Sequence, residues 1–185
     1  ITVGSEPYGL APVSLDGVTY MYVANTNSNT VSVINTSTND IVATVNVGLK
    51  PYYVAVIGTN VYVTNGQSNT VSVINANSNT VTATIPVGAY PRGIKAFGTD
   101  LYVANYGDPY YYSGGNSVSV IDSLTNQVTD TIVMPKGSLG ARGVTVSAER
   151  VYVTNYNTHN ISVINPITKA VVATIPVGNG PRGLA

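Results

Sequence analysis

Three arginines stand at equivalent places in this chain, in Pro91-Arg92-Gly93, Ala141-Arg142-Gly143 and Pro181-Arg182-Gly183; Tyr8 and Tyr52 fill the same place in Pro7-Tyr8-Gly9 and Pro51-Tyr52-Tyr53. Guanidinium forks match planar carboxylates and other oxyanions, so these residues form a candidate anion site. The preferred alternative is hydrogen bonding to carbonyls of neighbouring repeats, because most polar side chains bond to backbone or water. A second candidate is the stretch from Tyr106 to Asn116, which carries Tyr106, Asp108, Tyr110, Tyr111 and Tyr112 among Gly and Ser. Clustered Tyr offers rigid amphipathic contact area, suited to another subunit, another protein or a glycan. A loop that packs on its own repeat is equally open.

Other reactive types are sparse. His159 is the single histidine and there is no Cys, whereas a zinc site takes three or four such ligands. Asp108 lacks the spaced carboxylates of a calcium loop. The eight acidic residues are scattered, and Asp16 and Asp100 fall in turns, where Asp has a backbone role. No nucleophile elbow is present. These observations lead to the expectation of no catalytic residues, no metal, no cofactor and no enzymatic activity.

The elements that position these residues come from a repeat. Tyr22-Val23-Ala24-Asn25 recurs as Tyr62-Val63-Thr64-Asn65, Tyr102-Val103-Ala104-Asn105 and Tyr152-Val153-Thr154-Asn155. Each is followed by an apolar run such as Val31-Ser32-Val33-Ile34, then by one such as Ile41-Val42-Ala43-Thr44-Val45, then by a Gly/Pro step into a fourth. The runs are short, β-branched or aromatic, and bounded by turn residues, which predicts strands. Four strands per ~40–45 residues is the period of a propeller blade. The fold expected is all-β, one domain over residues 1–185, with blades near 7–45, 51–85, 91–132 and 142–175. Tyr8, Tyr52, Arg92, Arg142 and Arg182 would then ring the mouth of the central channel.

The motifs VYVTN, NTVSVIN and VTATIPVG followed by PRGI resemble the YVTN family of β-propeller repeats, familiar from archaeal surface-layer proteins and related secreted bacterial proteins. The resemblance spans nearly the whole chain and implies four YVTN-type four-stranded blades. It speaks for the fold more than for function, since one fold serves many. Family propellers usually close with more blades than the four found here.

Residues 175–185 duplicate residues 1–11: Ile1, Val3, Pro7 and Leu10 recur as Ile175, Val177, Pro181 and Leu184. Naming the strands of a blade a to d from the axis outward, there are five candidate a strands for four b–c–d sets. Two readings of this surplus terminal strand stay open. It is a tail or a piece of a longer array, or it is exchanged between subunits by β-augmentation.

Charged residues make up 9 % of the chain and the net charge is zero, against a typical ~25 % charged. No basic stripe suits nucleic acid, and no apolar run reaches the ~18 residues of a membrane span. The expected function is that of a non-enzymatic extracellular or cell-surface structural protein, a propeller subunit of a filament or surface layer that partners with itself. The alternative is a cell-surface module that binds a carbohydrate or protein through the Tyr-rich loop.

Overall fold

The structure is a computed structural model that describes residues 1–107 and 116–184. It holds four four-stranded antiparallel sheets, each an up-and-down meander. The first blade comprises β1 (Pro7–Leu15), β2 (Val18–Asn25), β3 (Thr30–Asn35) and β4 (Asp40–Asn46). The second comprises β5 (Pro51–Ile57), β6 (Asn60–Asn65), β7 (Thr70–Asn75) and β8 (Thr80–Pro86). The third comprises β9 (Pro91–Phe97), β10 (Asp100–Asn105), β11 (Ser117–Asp122) and β12 (Gln127–Val133). The fourth comprises β13 (Ala141–Val146), β14 (Val151–Asn155), β15 (Asn160–Asn165) and β16 (Ala170–Pro176). The chain divides into two compact units, Ile1–Pro86 and Val87–Ala185, with two blades in each.

The turns follow from their residues. Asp16 and Gly17 sit at φ 49° and 79° in the two-residue loop between β1 and β2, the doubly left-handed pattern of a type I′ hairpin. Gly58 and Gly98 supply a single positive φ in the same loop of the next two blades. The four-residue loops between strands b and c end on left-handed Asn29, Asn69 and His159. Those between c and d end on left-handed Asn39, Asn79, Asn126 and Lys169. Asn and His tolerate this region better than most residues.

Burial explains why the runs are apolar on both faces. In β3 and β7, four consecutive residues are buried, and β6 is buried from Val61 to Asn65. Outer strands β4 and β8 bury only Val45 and Ile85 and expose Ile41, Val42 and Val81 along with Thr, Asn and Asp. In the first unit, Tyr22, Val31, Val33, Val61, Val63 and Ile74 form the core. In the second, Tyr102, Val118, Val120, Val151, Val153 and Ile164 do so.

Candidate functional site

In each of the four blades the start of strand a breaks the a–b register, between Pro7 and Leu10, Pro51 and Val54, and Ala141 and Val144, and likewise opposite Val103 and Asn105. The bulge sets the glycine backbone against the next blade of its unit. A Cβ on Gly9 would lie 2.5 Å from the Tyr52 carbonyl oxygen, one on Gly93 2.5 Å from that of Arg142, and one on Gly143 2.3 Å from that of Arg182. Only glycine allows that approach.

The segment leading into each bulge is also repeated. Glu6, Lys50, Tyr90, Gly140 and Gly180 all have left-handed φ, between 52° and 75°. Four of them accept a backbone hydrogen bond from just beyond strand b: Glu6 from Thr26, Lys50 from Gly66, Tyr90 from Tyr106 and Gly140 from Tyr156. A Cβ on Gly4, Gly48 or Gly88 would fall within 2.4–2.8 Å of Asn25, Asn65 or Asn105.

The fifth copy shares the left-handed lead-in residue, at Gly180, and has a different environment. It is tied to the fourth blade: Val177 N–H donates to the His159 carbonyl at 2.9 Å, Gly180 N–H to His159 Nδ1 at 3.0 Å, and the Thr154 hydroxyl to the Arg182 carbonyl at 3.2 Å. Asn29 Oδ1 does for Lys50 N–H what His159 Nδ1 does for Gly180. A Cβ on Gly178 or Gly183, by contrast, meets nothing within 4 Å among the described residues. Ile175 is 44 % exposed, whereas its counterparts Val45, Ile85 and Ile132 are 6 %, 3 % and 6 % exposed. Val177, Pro181 and Leu184 are half-buried. At the other end, 1–11 occupies the first blade, with Ile1, Pro7 and Leu10 exposed and Val3 half-buried. Residues 7–11 lie in β1, whereas residues 181–184 form no strand.

Between blades of one unit, the strand-b tyrosine reaches the c–d turn of its neighbour. Tyr22 donates to Asn79 Oδ1 at 2.6 Å. Burial, reinforced by Tyr20, pushes its phenol up to about 12. Tyr102 donates to the Pro166 carbonyl and meets Lys169 Nζ, which is ion-paired with Asp100. Burial alone would lower the Lys169 ammonium, but Asp100 and Tyr102 outweigh it and the value is raised.

The asparagine ending strand b bonds across to strand c through its side chain. Asn25, Asn65, Asn105 and Asn155 are fully buried, and each Nδ2 donates to the Ser in the middle of strand c, at 2.9–3.0 Å. The sequence held a signal for this: Ser32, Ser72, Ser119 and Ser162 recur inside otherwise apolar runs.

Each unit holds some of the Arg and Tyr residues predicted to ring the channel mouth. In the first unit, Tyr8 stacks edge-on against Tyr52 at 5.5 Å and Tyr53 at 5.2 Å. In the second unit, the arginines lie over tyrosine rings: Arg92 over Tyr90 and Tyr106, Arg142 and Arg182 over Tyr156. Arg142 is buried, Arg92 half-buried and Arg182 exposed. A hydrogen bond and the charge of Arg182, with Arg142 adding to them, hold the Tyr156 phenol below its ordinary value. Tyr106 is described and donates to Asn157 Oδ1; Asp108, Tyr110, Tyr111 and Tyr112 lie outside the described residues.

No protein-family model and no curated protein sequence matches the chain. Solved structures do. A hydrazine synthase from Kuenenia stuttgartiensis is 25 % identical with a TM-score of 0.81, over 94 % of this chain and 50 % of that one. A virginiamycin B lyase from Staphylococcus aureus is 16 % identical with a TM-score of 0.80, over 98 % and 60 %. U3-55K is 12 % identical with a TM-score of 0.80, over 97 % and 54 %. The chain has a β-propeller fold, with four blades, and spans 50 to 60 % of the length of these structures. Two of them are named as enzymes, which overturns the expectation that this chain has no enzymatic activity. That expectation rested on scattered titratable residues, and a propeller carries its chemistry in whatever its loops and blade ends present, not in the blade pattern.

Proposed function

We propose that this chain is a self-assembling propeller subunit that works at the cell surface, residues 175–185 of one copy replacing 1–11 in the first blade of the next. The supporting observation is the fifth lead-in segment. It repeats the left-handed residue of the other four, yet among the described residues Gly178 and Gly183 face nothing within 4 Å where Gly4 and Gly9 face Asn25 and the Tyr52 carbonyl. Val3, Gly4, Pro7, Gly9 and Leu10 match Val177, Gly178, Pro181, Gly183 and Leu184 residue for residue, so one segment fits the other's slot by β-augmentation. Such a contact is heterologous and builds an open chain of subunits unless its rotation closes. The cell-surface setting draws support from the charge-poor composition and the resemblance to YVTN surface-layer repeats.

The test compares the chain with Gly178→Ala and Gly183→Ala variants by sedimentation and electron microscopy. The parent chain should form concentration-dependent polymers. Each variant should stay monomeric at an unchanged melting temperature, because its added methyl is free in the monomer and collides with the next copy. A parent chain that is monomeric at every concentration, or variants that polymerise equally well, would refute the reading.

A further inference from the structure

Three arginines and three tyrosines of the second unit form one continuous line. Arg92 Cζ lies 5.3 Å from the Tyr90 centroid and 5.0 Å from that of Tyr106. The Tyr106 and Tyr156 rings are 6.3 Å apart. Arg142 and Arg182 lie 5.1 and 5.5 Å from Tyr156. A guanidinium stacked on a ring keeps its N–H donors in its own plane. The line ends in an open cleft bordered by Tyr156, Asn157, His159, Asn179, Gly180 and Arg182.

The chemistry of that border is one-sided. His159 Nδ1 accepts from Gly180 N–H, so the neutral ring carries its proton on Nε2, a donor. Asn157 Oδ1 accepts from Tyr106, which leaves its amide NH2 to donate. Arg182 only donates. No carboxylate borders the cleft among the described residues. Arg182 lowers the Tyr156 phenol, first through a hydrogen bond and then through its charge, and Arg142 adds to it. The space, about 480 Å³, exceeds a single oxyanion, and the Asn179 amide, which can both donate and accept, suits the hydroxyls of a sugar.

We propose that this cleft binds an acidic saccharide, its carboxylate held by Arg182 and its hydroxyls by Asn157, Asn179 and His159 Nε2–H. The inference stands on the Arg–Tyr line and the cleft; Asn179, Gly180 and Arg182 also belong to the segment proposed to join copies, so binding is tested where copies do not join.

His159 is the single histidine, so its ring protons give one unambiguous NMR signal. The experiment titrates glucuronate, glucose and inorganic sulfate against that signal, with Gly183→Ala as background so that the result does not depend on assembly. Glucuronate should produce a saturable shift and glucose none. Arg182→Gln should weaken glucuronate binding roughly tenfold or more, the scale of a lost charge-assisted pair, while Arg150→Gln leaves it unchanged. Absence of a saturable response to glucuronate, or an equal one in Arg182→Gln, overturns the proposal. An equal response to sulfate and glucuronate overturns its saccharide part.

Discussion

Tyr22 and Tyr102 carry inter-blade contacts through one hydroxyl each, and that makes the fold sensitive to alkali. The Tyr22 phenol is raised to about 12, while in an unfolded chain it ionises near 10. A folded value above the unfolded one gives stability that is complete below pH ~10 and lost as pH climbs toward 12. The raised Lys169 ammonium works in the same direction: its pairing with Asp100 is present below the ordinary lysine range and lost above it. Tyr22→Phe should cost about 1 kcal/mol at pH 7 through the missing bond to Asn79, and its stability should fall less steeply than the parent's between pH 10 and 12. Thermal melts across that range check it, and equal slopes would reject the assignment. The tyrosines were legible from their repetition; their partners were not. Asn79 and Lys169 are equivalent in position and different in chemistry, and only the fold shows that both answer a tyrosine from the preceding blade.

At the scale of the strand, the type and order of elements could be read from β-branched runs and turn residues, because each blade spends its local chemistry on the same meander. What could not be read is which face of a repeated segment is occupied. Gly93 and Gly183 sit in identical Pro-Arg-Gly motifs, yet a methyl on one meets backbone at 2.5 Å and on the other meets nothing. The lead-in turn was also hidden, since Lys50 and Tyr90 take left-handed φ without being residues that favour it. Gly93→Ala should therefore destabilise the second unit by roughly 1–3 kcal/mol, the cost of overpacking, and Gly183→Ala by close to nothing. Denaturant unfolding of the two variants measures this. A Gly183→Ala chain as unstable as Gly93→Ala would mean that the segment is packed.

For the whole molecule, the proposed exchange has a direction, and direction can be tested without resolving an interface. A copy gives residues 175–185 and receives at its first blade. β16 ends at Pro176, so a chain cut after that residue keeps its fourth blade intact while it loses the lead-in that Val177, Gly180 and Arg182 anchor to blade 4. Such a chain can still receive a segment and has none to give. In a heterologous open polymer every subunit must do both for growth to continue, so a receiving-only copy stops one end. Added at about a tenth of the parent chain, it should shorten polymers markedly while joining them, whereas a symmetric interface would only dilute. Light scattering and micrographs of the mixture read the length directly. An unchanged length distribution would show that residues 177–185 do not carry the contact between copies.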